Sequence, residues 1–477
     1  MTAPSTGLFT DLYQLTMAQG YRQYGLHERE ACFDLFFRYN PFGGGYSVSA
    51  GLADALAFLE NMRFSPHDLA YLESCGLFTN DFLASLESFR FAGDVYAVPE
   101  GTVMFPLAPL LRVQGPLDHC QMVESALLNI VNFQSLIATK SARICQEAGG
   151  GSVVEFGMRR AQGPDGALTA ARAAHIGGCT ATSNVLAGKT CGIPVSGTHA
   201  HSWVLAFESE LESFRAYAKA YPRTSVLLVD TYDTLNSGVP NAITVGKEML
   251  ARGEHLLGIR LDSGDLAYLS AQARKMLDEA GLPFVKIVCS GELDEFIIHD
   301  LKIQGAKIDI YGVGQNLVTA KGNSSFPGVF KLSAVRRADG QWHGRMKLSD
   351  SAVKATIPGL KQVWRLTGAD GGMMADIIEL VGTEHEFAKG VWGYHPVLEY
   401  EKKYYEGIAS AEPLLQQVMK GGKRCADLPP LSAIRERLPK GLAALHATMR
   451  RLLNPHVYKV SLGEKLMEET ARLRRAI

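Results

Sequence analysis

Ser225-Val226-Leu227-Leu228-Val229-Asp230-Thr231-Tyr232-Asp233 is a short β-branched run that closes on a polar cluster, and its reading decides the fold. A strand that is apolar throughout, rather than alternating, belongs to a parallel sheet buried on both faces. The same pattern recurs at Ser152–Phe156, Ile193–Val195, Leu256–Arg260, Phe284–Val288 and Ile308–Tyr311, with helical stretches between the runs. Repeated strand-then-helix units predict an α/β class with a closed, TIM-like α/β barrel, and an open doubly wound sheet is the alternative. In such barrels the functional groups stand at the C-terminal strand ends. Those ends read Glu155-Phe156-Gly157-Met158-Arg159-Arg160, Gly197-Thr198-His199-Ala200-His201, Asp230-Thr231-Tyr232-Asp233, Arg260-Leu261-Asp262-Ser263-Gly264-Asp265, Cys289-Ser290-Gly291-Glu292 and Gly312-Val313-Gly314-Gln315. They are predicted to converge on one mouth.

Outward from this stretch the pattern changes. Residues 1–120 mix a helical segment, Thr10–Gly25, with an aromatic strand-like run, Ala31–Tyr39, and a glycine-rich turn at Pro41–Tyr46. Residues 121–325 open on a helix at Met122–Ala148 and carry the barrel. Residues 326–477 are strand-rich to about Tyr405 and basic and helical from about Leu431, so the two flanks are expected to pack together as an α+β domain. A chain of 477 residues exceeds what one core sustains, in keeping with more than one domain. Lys plus Arg (48) nearly cancels Asp plus Glu (49), which gives no electrostatic case for nucleic acid or a membrane surface and points to small-molecule partners. Eight scattered cysteines without a C-x-x-C pair read as reduced thiols. No apolar run approaches the ~18 residues of a membrane span, and no signal-like N-terminus is present, so a cytoplasmic location is expected.

The strand ends carry definite chemistry. Arg260 and Asp262 share a face under the two-residue strand period. The guanidinium suits a carboxylate or phosphate, and Asp262 suits magnesium or a ribose hydroxyl; an internal Arg–Asp ion pair is the plain alternative. Asp230 adds a second acid that calls for a cation or hydroxyls nearby. Ser290-Gly291 and Gly312-Val313-Gly314 offer backbone N–H groups to an anion. Of His199 and His201, either is suited to act as a base or phosphoryl acceptor, while the absence of a third soft ligand disfavours zinc. Phe156 and Tyr13 are candidates for stacking a flat ring, although Tyr13 on an apolar helical face is equally explained by burial.

Six ordered motifs, Thr10-Asp11-Leu12-Tyr13-Gln14-Leu15-Thr16-Met17, Glu155 to Gly163, Gly197-Thr198 with His201, Asp230-Thr231-Tyr232, Arg260 with Asp262-Ser263-Gly264-Asp265, and Gly312-Val313-Gly314, resemble the nicotinate phosphoribosyltransferase family over nearly the whole chain. The resemblance implies a two-domain enzyme of NAD biosynthesis with an irregular α/β barrel, which joins nicotinate to 5-phosphoribosyl 1-diphosphate, giving nicotinate mononucleotide and diphosphate with coupled, ligase-like ATP hydrolysis. It implies Mg2+, ATP as co-substrate, and a homodimer with shared active sites. By resemblance His201 is the phosphohistidine, Asp230 is needed for activity, and Asp262 binds ribose or diphosphate through magnesium. Tyr13, Thr198 and Arg260 match nicotinate contacts, with Phe156 and Tyr13 sandwiching the pyridine and Tyr13 supplied by the partner subunit. Arg159 matches a phosphate-binding arginine, and Arg38 a phosphate contact from the neighbouring subunit. Ser290, Gly291, Gly312, Gly314 and Gln315 are the candidates for holding phosphate.

Gln315 departs from the family, which carries threonine there. In nicotinamide-using relatives an aspartate stands near the position of Ser183; a neutral serine favours a carboxylate substrate. The competing readings are a nicotinamide or quinolinate phosphoribosyltransferase, or a catalytically inactive nucleotide-binding regulator.

Overall fold

The structure, a computed structural model, describes residues 6–347, 356–398 and 400–476. The chain divides into two compact units, one formed by residues 1–136 with 325–477 and the other by residues 137–324.

The second unit holds a parallel sheet of six strands: β1 (Ser152–Glu155), β2 (Ala181–Thr182), β3 (Val226–Leu228), β4 (Gly258–Leu261), β5 (Lys286–Cys289) and β6 (Ile310–Val313). Their order is β2-β1-β6-β5-β4-β3, with every pairing parallel. Helices Gly163–Ile176, Glu210–Ala220, Val239–Ala251, Leu266–Glu279 and Glu295–Ile303 connect them. Leu227, Leu228, Ile259, Leu261, Ile287, Val288 and Val313 are buried, which is why these strands are apolar on both faces. Asp265 and Asp294 accept from backbone N–H groups at the starts of the last two helices, fixing where the chain leaves β4 and β5.

The closed barrel expected from the sequence is not formed among the described residues: β2 and β3 are the end strands of an open sheet. The cause is local. Ile193-Pro194-Val195 makes an isolated bridge, Val195 with Thr182, instead of a strand. Pro194 has no N–H to donate to a ladder. Ala181–Thr182, a strand of two residues, is too short to announce itself by periodicity. The later strands begin about two residues beyond the apolar runs that signal them, because Leu256 and Val285 are buried in the preceding turns.

The first unit is built on two larger sheets. In one, Glu30–Phe37 lies between Leu111–Pro116 and Gly328–Arg336, antiparallel to both. Asp94–Ala97, Gln416–Lys420, Lys423–Arg424 and Trp342–Gly344 complete its seven strands. The other sheet has six strands, including Lys361–Gly368 and Met373–Leu380. The end of the chain is not uninterrupted helix: Val460–Leu462 enters this sheet beside Met373–Leu380, ahead of helix Glu464–Ala476. Pro41–Gly43 forms a 3-10 turn. No described helix is long and apolar enough to cross a membrane.

Candidate active site

Arg260 lies near the end of β4, and its side chain is only 14% exposed. Three bonds fix its guanidinium: Nε donates to Ser290 Oγ (2.8 Å), one terminal nitrogen to Thr198 Oγ1 (2.9 Å) and the other to Asp262 Oδ1 (2.7 Å). Every one of these partners comes from a different strand end or turn. Ser290 also donates to Asp262 Oδ1, so one carboxylate oxygen receives both groups. Burial opposes ionisation of Asp262, but the Ser290 hydroxyl and the Arg260 charge outweigh it and hold the carboxyl below its ordinary range. The plain Arg–Asp ion pair is therefore present, as one edge of a larger network. The Arg260 guanidinium carbon also stands 5.7 Å from the Phe156 ring centroid, at cation–π distance.

Phe156 is seated by a close approach. A Cβ on Gly312 would stand 2.5 and 2.6 Å from two of its ring carbons, so the β6 end must lack a side chain at this point. Beneath the turn, buried Glu155 accepts from the Gly157 N–H and from Thr182 Oγ1, tying the loop after β1 to β2. Burial raises the Glu155 carboxyl above its usual range, and these two bonds work the other way. The motif reading missed this brace, and also Ser263; a buried acid inside an apolar strand run was the available signal.

Asp230, at the end of β3, uses both oxygens. Oδ1 lies 3.2 Å from His201 Nε2, while Oδ2 accepts from the Asp262 N–H (2.9 Å) and Ser263 Oγ (2.7 Å). The acid is buried and the histidine is 43% exposed, so the ring presents its other edge outward. Nothing separates the roles of the two histidines more clearly than burial: His199 is buried, with Nε2 accepting from the Leu228 N–H.

The structure thus joins Phe156, Thr198, His201, Asp230, Arg260, Asp262 and Ser290 at one end of the sheet. Gly291 takes φ +115° against the Asp262 carbonyl, and Gly314 precedes the short helix Gln315–Val318. Arg159 and Gln315 are exposed and take no part in the bonds described. Ser183 is half-buried and donates its N–H to the Glu155 carbonyl (2.9 Å). Tyr13, 46% exposed on helix Leu12–Gln23, and Arg38, whose N–H donates to the Pro327 carbonyl, belong to the other unit. No described group of three or more His, Cys, Asp or Glu side chains is arranged to hold a metal ion.

Comparison with known proteins matches three family models: the nicotinate phosphoribosyltransferase N-terminal domain over residues 8–132, the nicotinate phosphoribosyltransferase family over 152–335, and the C-terminal domain over 360–470. The chain is 44% identical over 461 residues to nicotinate phosphoribosyltransferase of Bacillus subtilis, covering 96% of this chain and 93% of the relative. To the Bos taurus protein of that name it is 36% identical, with 99% and 97% covered. Human nicotinic acid phosphoribosyltransferase superposes with a TM-score of 0.84 at 34% identity, over 98% of this chain and all of that one. A nicotinate-nucleotide pyrophosphorylase from Pyrococcus furiosus, at 23% identity and a TM-score of 0.69, shares the fold.

Proposed function

The chain belongs to the nicotinate phosphoribosyltransferase family, and from that premise we propose how its own residues carry out the transfer of a phosphoribosyl group to nicotinate. The observation that carries the reading is the Arg260 guanidinium, held on three sides by Thr198, Ser290 and Asp262 beside the Phe156 ring. A fixed cation next to an aromatic face suits a planar ring bearing a carboxylate. Neutral Ser183 introduces no repelling charge, and Tyr13 of a partner subunit would cover the second face of the pyridine in a homodimer.

The pyridine nitrogen attacks the anomeric carbon of 5-phosphoribosyl 1-diphosphate, the C–O bond to diphosphate breaks, and nicotinate mononucleotide forms. The nitrogen already has a lone pair, so no base is needed. Positive charge grows on the ribose and negative charge on the leaving diphosphate. Asp262, kept ionised by its two donors, is placed for the former, and Arg159 with the glycine turns Ser290-Gly291 and Gly312–Gln315 for phosphate. One ionised carboxylate fits magnesium, which takes one or two carboxylates and completes its shell with phosphate and water. Asp262 would hold that ion, which supplies charge for the leaving diphosphate. The order of strands, that of a barrel opened at one seam, puts all these turns on one side.

His201 is the acceptor of the ATP γ-phosphoryl group. Asp230 accepts from Nε2–H, leaving the Nδ1 lone pair to form the N–P bond as ADP departs. Arg38 is assigned to a phosphate in the neighbouring subunit's site. The test is mass analysis after incubation with ATP: an acid-labile phosphate is expected on His201 and is expected to vanish in His201→Ala. Full activity with ATP turnover and no such phosphate overturns the role.

A further inference from the structure

His199 has no part in the reaction as proposed, yet it is buried at the one place where the parallel sheet fails to close. On one side of that seam the segment after Pro194 makes a single bridge to β2, through Val195. On the other, β3 is an edge strand whose Leu228 is fully buried. A buried edge N–H with no partner is costly. His199 supplies the acceptor, Nε2, 3.2 Å from the Leu228 nitrogen.

An imidazole that accepts at Nε2 while neutral carries its hydrogen on Nδ1. Nδ1 lies 3.3 Å from the Ala200 carbonyl oxygen, so one tautomer satisfies both contacts. The ring stands edge-on to Tyr217 of helix Glu210–Ala220 at 4.7 Å, which fixes its plane. Immediately before it, Thr198 accepts from Arg260 and donates to the His199 carbonyl. Two residues after it, His201 meets Asp230, two positions beyond Leu228.

We propose that His199 is a positioning residue: by bridging the open seam to Leu228 it holds the Gly197–His201 segment in register with β3, so that Thr198 reaches Arg260 and His201 reaches Asp230. This rests on the reading of Arg260 and His201 given above. Protonation of His199 would set an Nε2–H against the Leu228 N–H and break the bridge. The ionisable groups facing the ring are Tyr217 from the adjoining helix, Arg260 from β4 and His201 from its own segment. Burial disfavours the charged ring, the Ala200 carbonyl favours it, and Arg260 and His201 disfavour it; the result lies below the ordinary histidine range. The bridge is thus intact at neutral pH and is lost as pH falls.

Two full-length variants separate this from general packing. His199→Gln keeps an acceptor at the same reach but does not titrate; His199→Phe keeps the ring without an acceptor. At about pH 8, H199F is expected to raise the nicotinate KM and to lower kcat/KM about tenfold, as for a lost buried hydrogen bond, while H199Q stays within about threefold of the parent. The parent-to-H199Q ratio of kcat/KM is expected to fall as pH drops below about 6.5. A ratio that does not fall at any pH down to the acid limit at which the parent stays folded, or an H199F that matches the parent, overturns the proposal. Should H199F fail to fold, the H199Q ratio still decides. Ring nitrogen shifts measured by NMR provide a readout independent of turnover: Nδ1–H is expected at neutral pH, and the Nε2–H tautomer overturns the proposal. A parent that shows this tautomer yet makes no nicotinate mononucleotide would instead sink the reading of the reaction.

Discussion

At Ser290 a single hydroxyl serves two charged groups, accepting from Arg260 and donating to Asp262. Ser290→Ala therefore removes both bonds without changing any charge. Loss of a charge-assisted hydrogen bond of this kind is expected to lower kcat/KM for nicotinate about tenfold. The pH dependence should move as well. Burial pushes the Asp262 carboxyl upward, and the Ser290 hydroxyl is the first of the groups that bring it below its ordinary range. For a depressed carboxyl the ionised form is present above that value and is lost as pH falls through it. Without Ser290 the value rises, so the acid limb of the kcat/KM profile is expected to shift to higher pH. An unmoved limb in S290A, with activity otherwise reduced, would mean that Asp262 is not the group whose ionisation matters. The sequence exposed Arg260, Asp262 and Asp230 because charged residues at the ends of apolar strands are conspicuous. It gave no means of seeing that a serine from the next strand joins two of them, since that pairing depends on register between β4 and β5.

Strand ends, rather than single residues, determine where the aromatic ring sits. The β6 end approaches Phe156 so closely that a methyl group on Gly312 would stand 2.5 and 2.6 Å from two ring atoms, well inside the 3.4 Å at which ordinary van der Waals contact begins. Gly312 has a φ that other residues adopt, so Gly312→Ala tests packing and not backbone strain. Overpacking of this type costs about 1–3 kcal/mol. G312A is expected to lose stability in that range in denaturant titration and to raise the nicotinate KM, because Phe156 must turn away from Arg260. Wild-type values of both would show that the ring is placed by other contacts. The glycines around this position suggest a phosphate turn from sequence, whereas their steric role toward Phe156 leaves no trace there. The same limit applies to the barrel. Apolar runs revealed β1, β3, β4, β5 and β6, but Ile193-Pro194-Val195 was equally apolar and makes only a bridge, while two-residue β2 gave no signal. Closure depends on whether neighbouring segments can exchange N–H and C=O groups.

Over the whole chain the least legible feature is the pairing of distant segments. Glu30–Phe37 could be read as a strand from its aromatic run, yet its partner Gly328–Arg336 lies about three hundred positions away, and Phe33 stacks on Phe330 at 5.1 Å between ring centroids. Such contacts are set by folding of the entire unit and leave no local trace in composition. They have a direct consequence for truncation. A chain ending at Ser324 retains Glu30–Phe37, Asp94–Ala97 and Leu111–Pro116 but loses the other four strands of that sheet, together with the whole of the six-stranded one. It then exposes one edge of Glu30–Phe37, whose residues from Ala31 to Phe37 are all buried in the full chain. A long apolar strand edge without a partner pairs with other chains. Residues 1–324 are therefore expected to aggregate or to lack a cooperative unfolding transition, as read by size-exclusion chromatography and near-UV circular dichroism. Adding residues 325–477 as a separate chain during refolding should restore a soluble complex, because the missing strands then become available. A monomeric 1–324 with a sharp transition would show that the N-terminal strands form a stable sheet without their distant partners.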